Sequence, residues 1–110
     1  MIKLEDLALI NKRFADGKIR NQSSLEYALT VVNETEDWTR QLAHLIRSII
    51  VDHAFEEGNK RTGAYLLVKF ASERKLVVDQ QKVYNLVLSI AAKPVSDIEK
   101  LRRMVKNALV

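Results

Sequence analysis

His53-Ala54-Phe55-Glu56-Glu57-Gly58-Asn59-Lys60-Arg61-Thr62-Gly63 puts a base, acids, a turn and two cations into eleven residues between two apolar helical patterns. The upstream pattern is Trp38, Leu42, Leu45, Ile46, Ile49 and Ile50, spaced by threes and fours on one face, and His53 continues that face one turn later. The downstream pattern, Leu66, Leu67 and Phe70, begins soon after Gly63. The segment therefore reads as a tight break joining two helices. Gly58 is the natural stop of the first, because glycine tolerates the left-handed angles that close a helix. Asn59 is placed to cap the second, and Lys60, Arg61 and Thr62 then fill its first turn.

That first turn favours an anion. Free amides and the positive end of the helix dipole attract negative charge, by roughly 0.3–1 kcal/mol at an exposed helix end. Two cations there oppose the dipole, a broken local rule of the kind that marks functional sites. A phosphate chain resolves the conflict, since Arg61 can hold two oxygens in a planar fork while Lys60 supplies a point charge. Glu57 adds a carboxylate that either salt-bridges Arg61 or holds Mg²⁺, which takes one or two carboxylates together with phosphate oxygens. His53 is either a satisfied core histidine or a general base, an imidazole titrating near neutral pH.

The segment closely resembles the signature of the Fic and Doc family, His-x-Phe-x-(Asp/Glu)-(Gly/Ala)-Asn-(Gly/Lys)-Arg, matched here by His53, Phe55, Glu57, Gly58, Asn59, Lys60 and Arg61. Upstream, Gly17-Lys18-Ile19-Arg20-Asn21 followed by Leu25-Glu26-Tyr27-Ala28-Leu29 is similar to the family's flap segment leading into a helix. The resemblance implies ATP as the donor, Mg²⁺ as the metal and a hydroxyl on a target protein as the acceptor. It makes His53 the general base and Glu57 the Mg²⁺ ligand. Gly58, Asn59 and Arg61 would form the phosphate cradle, with Lys60 beside them, and Phe55 would anchor the loop in the core. An extended flap would align the target by strand addition. Ala15 to Gln22 are the candidates, with Lys18, Ile19 and Arg20 as docking residues; an ordinary interhelical loop is the alternative.

Two positions bear on which group moves. Members that transfer AMP usually have Gly after the Asn and a second Arg three residues beyond the first, whereas this chain has Lys60 and Ala64. Both resemble the Doc branch, in which the nucleotide is thought to lie reversed, so that the terminal phosphoryl group faces the acceptor. Gly58 points the other way, since Doc itself tends to have Ala there. A Doc-like protein kinase, plausible as the toxin of a toxin and antitoxin pair with a small antitoxin protein as partner, is thus the leading expectation. Adenylylation and a non-catalytic binding module are the alternatives. Self-inhibition in cis is not expected, because the nearest restraint pattern, Thr30 to Glu34, fails at Thr35.

The rest of the chain sets bounds. Its 110 residues predict one domain over 1–110 with a single core and no added regulatory domain. There is no cysteine, so disulfides and thiolate metal sites are excluded. An N-terminus bearing Glu5 and Asp6, and no apolar run near the ~20 residues that cross a bilayer, predict a cytoplasmic protein without a membrane partner. A net charge of +4 is too mild to argue for nucleic acid, and Lys100, Arg102, Arg103 and Lys106 read as an exposed face.

The expected fold is all-α, a compact bundle of about six helices with a short flap near the N-terminus. Helices are predicted from about Leu4 to Phe14 and from about Ser24 to Asn33. The long helix follows, capped by Thr35, and the helix after the motif runs to about Arg74. A fifth is capped by Asp79, and a sixth is opened by the capping-box spacing of Ser96 and Glu99 beyond Pro94. Trp38 reads as a core lid. His44 and His53 are nine residues apart, about 900° around a helix, so a shared metal is not expected.

Overall fold

A computed structural model describes all residues, 1–110. The chain is all-helical: α1 (Leu4–Asn11), α2 (Gln22–Glu34), α3 (Trp38–Ile46) running into a π-helical turn (Arg47–Val51), α4 (Asn59–Glu73), α5 (Gln80–Ala92) and α6 (Ile98–Leu109). The expected six-helix bundle is what forms, with a radius of gyration of 12.5 Å. No helix is long and apolar enough to cross a membrane.

The core collects the apolar stripes legible in the sequence. Leu42, Leu45, Ile46 and Ile49 from α3 and its π-turn are fully buried, together with Leu25, Leu66, Leu67, Ile90, Leu101 and Val105 from the surrounding helices. Burial of such side chains contributes roughly 1.5–3 kcal/mol each. Gly63 lets α4 approach the π-turn closely, since a Cβ there would lie 2.7 Å from Ile50 Cδ1. Trp38 is half-buried against this core and carries the Arg74 guanidinium 5.0 Å from its ring centroid.

Several ends differ from the sequence expectation. α1 stops at Asn11, three residues before Phe14; Asn11 turns its side chain inward instead of prolonging the helix. Thr35 closes α2 rather than opening α3. Asp37 is the cap, accepting from the Thr39 and Arg40 amides. The Thr39 hydroxyl also donates to it at 2.7 Å, and this bond is the main reason its carboxyl is held below the usual carboxylate range. Asp79 caps α5 as expected, through the Gln81 and Lys82 amides. At α6 the cap is Asp97 rather than Ser96, because the Asp97 side chain takes the Lys100 amide.

The largest departure is at the end of the long helix. It does not run to Gly58: α3 widens into the π-turn, Asp52 N donates to Arg47 O, and the chain leaves helical geometry. His53 follows with a φ of +53°, a left-handed conformation uncommon outside glycine. The ring therefore leaves the apolar face that the spacing predicted for it and stands exposed. A π-turn inserts an extra residue into the helical repeat and often marks a functional site.

Candidate active site

The motif loop after His53 is held from three sides. Phe55 is 0 % exposed and enters the core, the anchoring expected of it. Its backbone forms an isolated antiparallel bridge with Ile19. Glu56 N donates to Lys18 O at 3.0 Å, and Arg20 N donates to Ala54 O at 2.7 Å. Lys18, Ile19 and Arg20 are therefore an extended segment docked on the motif, not a free interhelical loop. In this bridge the Ile19 amide and carbonyl point away from Phe55 and have no partner in the protein.

Asn59 does not cap α4 as its position suggested. Its Oδ1 accepts from Phe55 N at 3.0 Å and its Nδ2 donates to Phe55 O at 2.8 Å, so one side chain substitutes for a second strand against the loop. Gly58 occupies the cap position with φ +74°, and no side chain caps the helix. The amides of Gly58, Asn59, Lys60 and Arg61 are consequently left without acceptors. Lys60 and Arg61 are exposed in that first turn, and neither forms an ion pair, so the alternative Glu57 to Arg61 bridge is absent.

Asn11 is a residue that sequence reasoning missed. It is fully buried, and its Nδ2 donates to Glu57 O at 2.9 Å and to Thr62 Oγ1 at 3.1 Å. Its Oδ1 accepts from Gly17 N at 2.9 Å. One amide thus ties α1, the flap, the motif loop and α4 together. Three satisfied bonds are what make such a buried polar group tolerable. The only sequence signal was an asparagine on the otherwise apolar side of α1, too common to single out.

These elements enclose an open cleft of ≈ 860 Å³, lined by His53, Glu56, Glu57, Gly58, Asn59, Lys60, Arg61 and Ala64 on the motif side. The size lies within the range of small-molecule sites. The opposite wall is Tyr84, Val87, Leu88 and Ala91 of α5, with Phe14 and Ile50 completing it. Tyr84 and Leu88 are exposed although large and apolar. In the sequence they were indistinguishable from surface positions of an amphipathic helix. The cleft therefore has an amide-rich floor carrying two cations, Lys60 and Arg61, beside two carboxylates, Glu56 and Glu57, and an apolar far wall. Glu34, the carboxylate of the restraint pattern considered above, ends α2 and is not part of the lining.

A family model described as the Fic/DOC family matches residues 3–71. The chain belongs to the Fic/DOC family. No curated protein matches it, and no solved structure does. The matched span runs from α1 into α4 and includes the flap, the π-turn and the whole motif, while the α5 wall lies outside it. Fic/DOC proteins in general transfer nucleotide-derived groups to proteins, and this chain carries the family's motif residues, all of them except the buried Phe55 around one cleft.

Mg²⁺ binding by such a site requires only one or two carboxylates, with oxygens from the phosphates completing the sphere. Glu57 fits that requirement, being exposed at the cleft and free of any ion pair. No three His, Cys, Asp or Glu side chains cluster here, so the protein forms no cage of its own.

Proposed function

We propose that this chain is a Doc-like protein kinase, transferring the terminal phosphoryl group of ATP to a hydroxyl on a target protein. The observation that carries this reading is the composition of the cleft: four free amides, Lys60 and Arg61 stand beside exposed His53, and Ala64 occupies the place of the second arginine used in AMP transfer. Phosphoryl transfer depends mainly on positioning and on neutralising charge, and those are the parts present.

In the reaction His53 takes the proton of the acceptor hydroxyl. The acceptor oxygen bonds to the γ phosphorus as the bond from that phosphorus to the β–γ bridging oxygen breaks, and ADP leaves. Arg61 and Lys60 hold the phosphate oxygens, with the α4 amides beneath them. Bound Mg²⁺, held by Glu57, would supply further charge neutralisation at the phosphates. Tyr84 and Leu88 offer an apolar seat for the base, Tyr84 by stacking. The free edge of Ile19 aligns the target chain as an added strand. A small antitoxin protein as restraining partner accords with the lack of a restraint pattern within the chain.

Gly58, which on family pattern favours AMP transfer, has a local explanation here. Its φ is +74°, and a Cβ would lie 3.1 Å from both Ala15 Cβ and Asn11 Nδ2. Glycine is demanded by this backbone whichever group moves, so its presence carries no weight for adenylylation.

ATP binding tests the cradle directly. Arg61→Ala removes the bidentate donor, and charge-assisted hydrogen bonds contribute about 1.5–3 kcal/mol each. Calorimetric titration with ATP and Mg²⁺ is expected to show affinity weakened roughly tenfold to hundredfold. An unchanged dissociation constant would remove Arg61 from the site.

A further inference from the structure

His53 lines a second basin besides the nucleotide cleft. It is bounded by Arg20, Asn21, Asp52 and His53. Asn21 and Asp52 also line an adjoining basin of ≈ 360 Å³, walled further by Ser24, Tyr27, His44 and Arg47. The two form a continuous polar path leading from the catalytic histidine along the start of α2 and the π-turn.

We propose that this path is the specificity site for the acceptor protein, and that its far basin takes an aspartate or glutamate side chain lying a few residues from the hydroxyl presented to His53. The inference rests on the transferase reading above and adds the chemistry of the acceptor. Four observations support it. Arg20 and Arg47 flank the path and neither forms an ion pair. The one carboxylate between them, Asp52, already accepts the Ser24 hydroxyl at 2.7 Å in the first turn of α2, where the helix dipole offsets its charge.

His44 supplies the third observation. It is 5 % exposed, and neither ring nitrogen has a hydrogen-bond partner. Burial first, then the charges of Arg47 and Arg40, lower its pKa and so disfavour the charged ring. An orphaned imidazole among cations is costly. Arg47 donates from Nη1 to Ser96 O at 3.3 Å and lies 6.0 Å from the Tyr27 ring centroid but has no carboxylate partner, so an anion in the basin would serve both the unused imidazole donor and the guanidinium's unpaired charge. Tyr27, exposed and tilted over His44 with ring centroids 6.1 Å apart, forms the lip of the basin. Fourthly, the free edge of Ile19 adjoins Arg20 at the mouth, so an acceptor strand aligned there is led toward Asn21 and the basin.

The chain has only two histidines, so imidazole ¹⁵N spectra of the labelled protein report the catalytic end through His53 and the basin through His44. The probes are three short peptides with one central threonine, flanked on both sides by glutamate, glutamine or lysine. The glutamate peptide is expected to shift both histidines and to bind about tenfold tighter than the other two. That preference should fall to within about threefold in Arg47→Gln and persist in Arg47→Lys. Peptides that move His53 but leave His44 in place, or a glutamate preference unchanged in Arg47→Gln, overturn the proposal, as does failure of every peptide to move either ring. Because the binding readout uses no nucleotide, a peptide that binds in this way without accepting label refutes the transferase reading and leaves the carboxylate site standing.

Discussion

Replacing His53 with alanine is expected to abolish group transfer and to leave the fold intact. The imidazole is exposed, makes no hydrogen bond to the rest of the protein and lines both the motif cleft and the basin bounded by Arg20, Asn21 and Asp52. Loss of a positioned general base lowers a rate by about 10²–10⁴-fold. Folding has little stake in this side chain, although alanine is somewhat less at home than histidine at the left-handed φ of +53°. Rate measurements on purified protein should therefore show the full loss, with the thermal midpoint within a few degrees of the wild type. Activity kept within tenfold would remove His53 from the chemistry.

Phe55→Ala is expected to act in the opposite order, on stability first. Phe55 is fully buried and is the one motif side chain committed to the core, where truncation of a phenylalanine costs about 3–5 kcal/mol. Small domains have only about 5–15 kcal/mol to lose. For a chain of this length the thermal midpoint should drop by on the order of 10–25 °C. The same substitution loosens the bridge to Ile19 and the pair of Asn59 hydrogen bonds, so transfer falls even in the folded fraction. Calorimetric scanning alongside assays well below the midpoint separates the two effects. A midpoint unchanged within a few degrees would mean that the loop is anchored by other groups.

The helices were legible in the sequence because their apolar residues recur at threes and fours, and so was the break at the motif, because Gly58 and Asn59 interrupt that recurrence. The path of the chain through the break was not. Periodicity carries His53 onto the buried face, but the π-turn at Arg47–Val51 adds a residue to the repeat and turns His53 outward. No residue type in Arg47-Ser48-Ile49-Ile50-Val51 announces a π-turn; it is fixed by the packing of Ile50 against Gly63 of α4 and by Ala54 N reaching back to Ser48 O. Asn59 was read as a cap because asparagine commonly caps. It binds Phe55 instead because the buried ring pulls that backbone within reach. Asn11, the α5 wall and the basin at His44 depend on residues distant in sequence meeting in space, which local pattern does not encode.

The charged floor of the cleft followed from sequence chemistry alone, since cations in a helix's first turn need an anion to balance them. The direction in which ATP lies against that floor decides which bond is broken. Ala64 lines the cleft at the position where AMP-transferring members usually carry a second arginine, and Gly58 is accounted for by its own backbone. Under the proposed reading the first favours the terminal phosphoryl group facing His53, and the second removes an objection without favouring either group. The most direct measurement is to incubate the purified chain and its His53→Ala variant with Mg²⁺, a lysate of candidate target proteins, and ATP labelled at either the γ or the α phosphorus. Protein-bound label from γ-labelled ATP alone, absent with the variant, is the predicted result; label from α-labelled ATP on the target would contradict it.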